Sequence, residues 1–454
     1  MRWLDITTCY SWNRPPVGIV RVELEAIMFA LTLKNTKFCI FDKATSKFYE
    51  IPRNDTKKLY KKLSSIRFVN INTERQSRFY HKFVSLIRIL IYYIFRDRDK
   101  LIENWLKKFK PLVINFYLRL KIHASRLFKI KNYIIYLLVY LFNKKNHVSN
   151  SSIFFKKGDI YISMGLDWDK KDLNYLYSLK KNNKFKVHFF CYDIIPILFP
   201  HLCSGNISPI FIKYYIDLSH VSDKVFCISK NTENDLIKFW KNTGAPIKPT
   251  SVVRLGDTDV FTSDYKFRNP ELNHFILQDF ILMVSTIERR KNHEIIYRAY
   301  VRLIEKGFKN QLPNLIFVGM KGWGVNDFFD DLKFDLRVKD KIFIFDNISD
   351  VDLATLYKNC LFTVYPSLYE GWGLPVAESL SFGKFCLVSN SSSIPEIFSN
   401  KDCIDFIDPW DLSGWEKAIL YYISNKKVLN KKEKMINKHF KPTAWGSTFE
   451  KVFK

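Results

Sequence analysis

Short apolar runs recur along the chain, each followed by a polar or glycine-bearing loop and then an amphipathic stretch of helical length. Met1–Thr8, Lys37–Asp42, Asp159–Ser163, Phe185–Phe190, Lys224–Ser229 and Ser251–Leu255 form one such series. Phe280–Ser285, Asn314–Val318, Ile342–Asp346 and Phe385–Val388 form a second. Buried strands alternating with helices predict an α/β fold with doubly wound sheets. Gly18 opens a helix expected to reach about Leu33, and further helices are expected at Asn231–Trp240, His293–Glu305 and Asp350–Tyr357. The polar stretch Thr262–Asn273 reads as the linker between the two series. This divides the chain into an N-terminal domain, 1–265, and a C-terminal domain, 274–440. Between the second and third strands the pattern changes, and residues from about 52 to 150 read as a helical insertion, with helices at Phe79–Ile94, Lys100–Leu112 and a longer segment through Phe142.

Composition sharpens the picture of that insertion. The 454 residues suffice for two or three cores and carry a net charge of +27. Between Arg53 and Lys145 there are 23 Lys and Arg against 5 Asp and Glu, a surplus of 18 of the +27. The same segment holds the apolar runs Phe83–Phe95 and Tyr133–Phe142. Basic and aromatic residues interleaved with short apolar runs suit an anionic membrane surface, contacted through 52–150, better than a nucleic-acid groove. A lysine-rich solvated face around a helical hairpin is the plainer alternative. No apolar run reaches the ~18–20 residues of a membrane span. The eight cysteines are scattered with no C-x2-C pair, and Met1–Asp5 runs straight into a strand-like segment. A reduced, cytoplasmic setting without a signal peptide is therefore expected.

Candidate chemistry concentrates in Tyr365–Ile397. A loop with Glu370, Gly371, Trp372 and Gly373 leads into Leu374 and Pro375, and the helix-like run Val376–Phe382 stops at Gly383. Loop amides and a helix N-terminus together favour an anion such as phosphate. Glu370 and Glu378, eight residues apart, add acceptors for hydroxyls, so a phosphorylated sugar fits; an ordinary surface loop and helix is the alternative. Asp193 follows the strand Phe185–Phe190, at the end where open α/β sheets bind ligands. It could equally be a turn or helix-capping residue.

These motifs resemble those of the retaining GT-B glycosyltransferases of family 4 (group 1). E-G-W-G-L-P-V-A-E, Glu370 to Glu378, is similar to that family's E-x7-E signature, with Trp372 where Phe is usual. Ser285 to Asn292 resembles its G-T-x-E-x-R-K-N loop, with Ser285 for Gly and Arg289 for Pro. Tyr192 to Pro196 resembles a D-x-I-P turn, with Tyr192 where His is frequent, and Gly256 to Asp259 resembles the joint before the second domain. The resemblance covers roughly 1–50 and 155–454. It implies two Rossmann-like domains facing across a cleft, and a helix at 441–454 closing back onto the first.

It also implies a retaining transferase that moves a sugar from a nucleotide donor to a glycan. Glu378 would bind the donor ribose and Glu370 the transferred sugar. Arg290 and Lys291, with the Gly371–Gly373–Leu374 loop, would neutralise the leaving diphosphate. Asp193 would face the donor sugar, Gly18 would let backbone approach donor or acceptor, and the loops at Gly319 and Ile348 would hold the base. No carboxylate is placed as a nucleophile, which points to front-face attack, and no metal or other cofactor is called for. The wording of the motifs is closest to mannosyl- and rhamnosyltransferases of surface polysaccharides. GDP-mannose is the favoured donor, and a lipid-diphosphate-linked glycan at the inner face of the plasma membrane the favoured acceptor. Nucleic acid is not an expected partner. A glycan phosphorylase, needing a pyridoxal-phosphate lysine, and a basic nucleic-acid-binding protein are the alternatives.

Overall fold

The computed structural model describes residues 1–66, 152–153, 155–257 and 270–454. The helices expected between Phe79 and Phe142 and most of the linker, with the membrane-facing role given to 52–150, therefore lie largely outside the described residues. The N-terminal sheet contains β1 (Arg2–Asp5), β2 (Thr36–Asp42), β3 (Lys47–Ile51), β4 (Ile160–Ser163), β5 (Lys186–Cys191), β6 (Lys224–Cys227) and β7 (Thr250–Val252). Their order is β3-β2-β1-β4-β5-β6-β7, parallel except for the antiparallel pair β2 and β3. The C-terminal sheet contains β8 (Phe280–Val284), β9 (Asn314–Val318), β10 (Ile342–Phe345), β11 (Phe362–Tyr365), β12 (Cys386–Ser389) and β13 (Asp405–Ile407). It runs β10-β9-β8-β11-β12-β13, entirely parallel.

Both orders reverse direction beside the first strand of the domain, the doubly wound pattern that opens a ligand crevice at the strands' C-terminal ends. The two crevices lie at β1/β4 and β8/β11. Two Rossmann-like domains are therefore present, as a GT-B fold requires. The strands are buried on both faces because helices cover both, which is why they read as continuous apolar runs.

Edges and ends differ from expectation in instructive ways. β3 is an edge strand whose Phe48 and Ile51 are buried while Lys47 is exposed and Tyr49 and Glu50 are half-exposed, too mixed to stand out in the sequence. The helix Arg53–Ile66, inside the range expected for the insertion, buries Thr56 and Leu63 against the first domain. The helix from Gly18 ends at Ala30. Trp445–Phe453 is the closing helix, and Phe449 and Phe453 each place their rings 5.8 Å from Phe29 of the first domain. Among the described residues no helix is long and apolar enough to cross a membrane.

The β1/β4 crevice is filled by the protein itself. Lys171 Nζ lies 3.2 Å from Asp5 and 2.7 Å from Asp167, all with side chains almost fully buried. Glu23 accepts the Cys9 amide at 2.7 Å, and burial pushes its carboxyl up to about 8. Gly165 leaves just enough room: a Cβ there would collide with the Glu23 carboxylate and the Thr8 hydroxyl. Gly165→Ala is accordingly expected to destabilise the protein by about 1–3 kcal/mol through overpacking, read by urea unfolding. Gly446→Ala, with open space around its Cβ, is the control and should be near neutral.

Candidate active site

Three sequence-distant elements meet at the β8/β11 crevice. β8 ends into a loop that coils once at Arg289–Lys291 before the helix His293–Glu305. β11 ends at Tyr365, and residues 366–373 run to the helix Leu374–Ser381. Gly373 caps that helix at φ 117°, the left-handed region that glycine tolerates without strain. The third element is the N-terminal domain, which lies against both loops.

Glu370 is the centre, only 6% exposed. One carboxylate oxygen sits 2.5 Å from Lys291 Nζ and accepts hydroxyls from Ser367 at 2.6 Å and Tyr365 at 3.0 Å. The other lies 2.7 Å from Arg290. Burial alone would raise this carboxyl, but Arg290 and Lys291 outweigh it and hold it at about 2. Arg290 also pairs with buried Glu288 at 2.7 Å and donates to the Tyr369 carbonyl at 2.7 Å. Burial, and then the neighbouring Arg290, pull the Lys291 ammonium below its ordinary value. The arrangement is an ionised carboxylate held between two cations.

The 366–373 loop hangs on a rack of short hydroxyls that begins at the last residue of β12. Ser389 donates to the Ser367 carbonyl at 2.7 Å, Ser391 to that of Leu368 at 2.6 Å, and Ser393 to those of Glu370 and Trp372 at 2.9 and 3.0 Å. Ser392 accepts the Glu370 amide at 2.8 Å. These hydroxyls answer backbone groups that no sheet reaches, and so fix the carboxylate's position. The run Ser389–Ser393, visible in the sequence as a polar loop, carried no other signal of this duty.

The structure gathers Glu370, Arg290 and Lys291 into direct contact, and places Asp193 nearby across the domain junction. The Asp193 carboxylate accepts the Ile195 amide at 3.0 Å, a turn-capping bond, while burial raises its carboxyl and Arg290 opposes the rise. Gly371 is glycine because a Cβ would collide with the Tyr192 carbonyl oxygen of the other domain. Glu378 is 8% exposed; it pairs with Arg21 at 3.2 Å and accepts the Tyr357 hydroxyl at 3.2 Å. Leu374 opens the short helix after Gly373. Gly319 lies against the Ser285 carbonyl, where a side chain would not fit. Ile348 packs on the apolar cluster around Leu356 and Tyr357. Gly18 begins the helix Ile19–Ala30 at φ 54° with open space beside it. Sequence reasoning missed Tyr365, Ser367, Glu288 and Arg21, all of which touch the three charged groups or Glu378.

Other contacts join the domains beside this site. Glu396 accepts the amides of Lys230 and Asn231, each at 2.7 Å, and so caps the helix Lys230–Thr243 of the first domain. Tyr369 donates its hydroxyl to Asp235 at 2.6 Å.

The fold and the charged crevice of the second domain can be set beside known proteins. Residues 269–441 match the family described as glycosyl transferases group 1. The serotype-specific mannosyltransferase WbdA of Escherichia coli is 27% identical over 258 residues, covering 54% of this chain and 30% of that protein. The O-antigen chain mannosyltransferase B of Escherichia coli is 32% identical over 170 residues, 35% of this chain and 42% of that one. The chain thus spans less than half the length of these two curated relatives. Among solved structures, Anabaena Alr3699/HepE in complex with UDP superposes with a TM-score of 0.47 at 13% identity, over 65% of this chain and 77% of that one.

The ion triad sets a stability test. Glu370 is ordinarily protonated near 4.5 and is held at about 2 in the folded chain. A depressed carboxyl stabilises the fold above its unfolded value, so this contribution is full above about pH 4.5 and is lost as pH falls toward 2. Glu370→Gln leaves Arg290 and Lys291 buried without their shared partner and should destabilise by about 3–5 kcal/mol at pH 7. In urea titrations from pH 7 to 3, the variant should also lack this carboxylate's share of the parent's acid sensitivity.

Proposed function

We propose that the chain is a retaining glycosyltransferase that moves a sugar, mannose being favoured, from a nucleotide-sugar donor onto a glycan acceptor. One observation carries this reading: a carboxylate kept ionised between Arg290 and Lys291, at the mouth of a doubly wound crevice, with Glu378 on the short helix that follows. The mannose assignment is supported by the relatives, whose names are those of mannosyltransferases of O-antigen chains. Surface polysaccharide synthesis is the setting that those names favour. A lipid-diphosphate-linked acceptor at the cytoplasmic membrane face suits the basic segment 52–150.

The chemistry follows from charge. As the glycosyl bond breaks, negative charge collects on the leaving diphosphate, and Arg290 and Lys291 are preorganised to receive it. Positive charge grows at the anomeric carbon, and Glu370, ionised across the physiological range, opposes it electrostatically and accepts sugar hydroxyls. A carboxyl held at about 2 is not a proton donor at neutral pH. The acceptor's proton is then taken by the leaving phosphate oxygen on the same face, which retains the anomeric configuration. Glu378 accepts ribose hydroxyls, present before and during transfer.

The first test is donor choice. In thermal-shift and radiolabel-transfer assays with GDP-, UDP- and dTDP-sugars, GDP-mannose should raise Tm most and be the substrate; a different donor overturns the mannose assignment, and no response to any donor overturns the function. With the true donor, Lys291→Ala should lower kcat by about 10²–10³, whereas Glu378→Ala should chiefly raise the donor KM. If both variants melt and transfer like the parent, the site is misassigned.

A second test concerns metal. Arg290 and Lys291 provide the positive charge at the diphosphate, so transfer should persist in EDTA. Abolition by EDTA with recovery in Mg²⁺ or Mn²⁺ would mean that a cation replaces their role.

A further inference from the structure

Arg21 reaches the C-terminal domain from the N-terminal one. It lies on the first turn of the helix Ile19–Ala30 and is 8% exposed. Its NH1 is 3.2 Å from Glu378 Oε1, and its guanidinium lies 5.5 Å from the ring centroid of Trp445 at the start of the closing helix. Its Nε is buried with no hydrogen-bond partner. A buried cation with an unused donor is costly, and such groups in native proteins call for an explanation. The other Glu378 oxygen meets the Tyr357 hydroxyl, whose ring stacks on Phe382 at 5.3 Å.

We propose that Arg21 is a positioning residue for the donor's ribose, acting through Glu378. The proposal rests on the reading of Glu378 as the ribose acceptor given above. A carboxylate that must accept two vicinal hydroxyls has to be charged and held in one orientation. Tyr357 is a neutral donor, whereas Arg21 supplies a full charge and a directional N–H to one oxygen. The lone pairs that remain on the carboxylate are then presented in a fixed direction. Because the cation comes from the other domain, the ribose pocket is complete only when the two domains are together. Donor binding and domain contact are thereby coupled through one ion pair. The Trp445 ring covers the guanidinium, so the closing helix helps to place it.

The test uses the full chain and reads nucleotide binding by calorimetry, with no transfer required. GDP and UDP are each titrated, and the tighter of the two is compared with its 2′,3′-dideoxy form, which keeps base and phosphates but lacks both hydroxyls. The parent should prefer the ribonucleotide by about tenfold, the effect of one or two hydrogen bonds to a charged group. In Arg21→Met the preference should shrink toward one while affinity for the dideoxy form stays at the parental value. Arg21→Lys keeps the charge without the planar fork and should be intermediate; it carries the test if the methionine variant does not fold. Equal weakening of both nucleotides would make Arg21 a phosphate contact and overturn the proposal. An unchanged preference with a lower Tm would make it a plain domain clamp and equally overturn it. A parent that binds neither nucleotide removes the proposed function itself, whereas a parent that binds with ribose preference leaves that function standing whatever Arg21 does.

Discussion

A buried carboxylate between two cations is the constraint on which the second domain's crevice depends. Glu370, Arg290 and Lys291 come from the loops that follow the adjacent parallel strands β8 and β11; the sheet sets the loops side by side, and this pairing and the backbone bonds around it fix how they meet. Taking three charges out of water is unfavourable unless each is answered at short range. The answers are visible: Tyr365 and Ser367 on Glu370, Glu288 on Arg290, and the Tyr369 carbonyl on the same guanidinium. The same burial gives the site its chemistry, since charge–charge forces at a given separation are stronger there than in water.

The loop bearing Glu370 has little regular structure, so its rigidity has to come from elsewhere. It comes from the serines that begin at the last residue of β12 and from the N-terminal domain. Thr232 reaches the carbonyls of Tyr192 and Gly371, each at 3.3 Å, at the place where a side chain on residue 371 would hold the domains apart. Arg254 performs a service parallel to that of Arg21: its guanidinium lies 5.4 Å from the Trp372 ring and 5.7 Å from Phe440 while pairing with Asp257 at 2.9 Å. Two arginines of the first domain thus rest on tryptophans, one beside each end of the Glu370–Glu378 stretch. Flat, weakly hydrated guanidinium groups suit such half-buried junctions better than lysine would. The first domain's own crevice at β1/β4 follows the opposite policy, being filled by Lys171 and its carboxylates.

Much of the fold was legible because its strands and helices repeat strongly. His293–Glu305 and Asn314–Val318 were read to the residue, since a clean amphipathic period and a continuous apolar run have sharp ends. The alternation of the two classes called for parallel sheets, and both sheets are parallel apart from one edge. That edge, β3, escaped because its pairing is antiparallel and its five residues are mixed in polarity. Single strands carry no record of their neighbours, so sheet order was an inference from topology rules and not from any residue.

What the sequence determined by itself was local: where strands end, where Gly373 permits a turn, and that two glutamates stand eight residues apart beside a helix start. Those features depend on bonds within a few residues and survive in any context. Which charges meet was decided only by the tertiary structure. Glu370 finds Lys291 across 79 residues and Glu378 finds Arg21 across 357, through packing of whole domains. Arg21 carries no such signal in the sequence, since nothing in its neighbours announces a carboxylate from the far end of the chain. Electrostatic energy depends on separation in space and on the water excluded between the groups, and only the folded chain supplies either quantity.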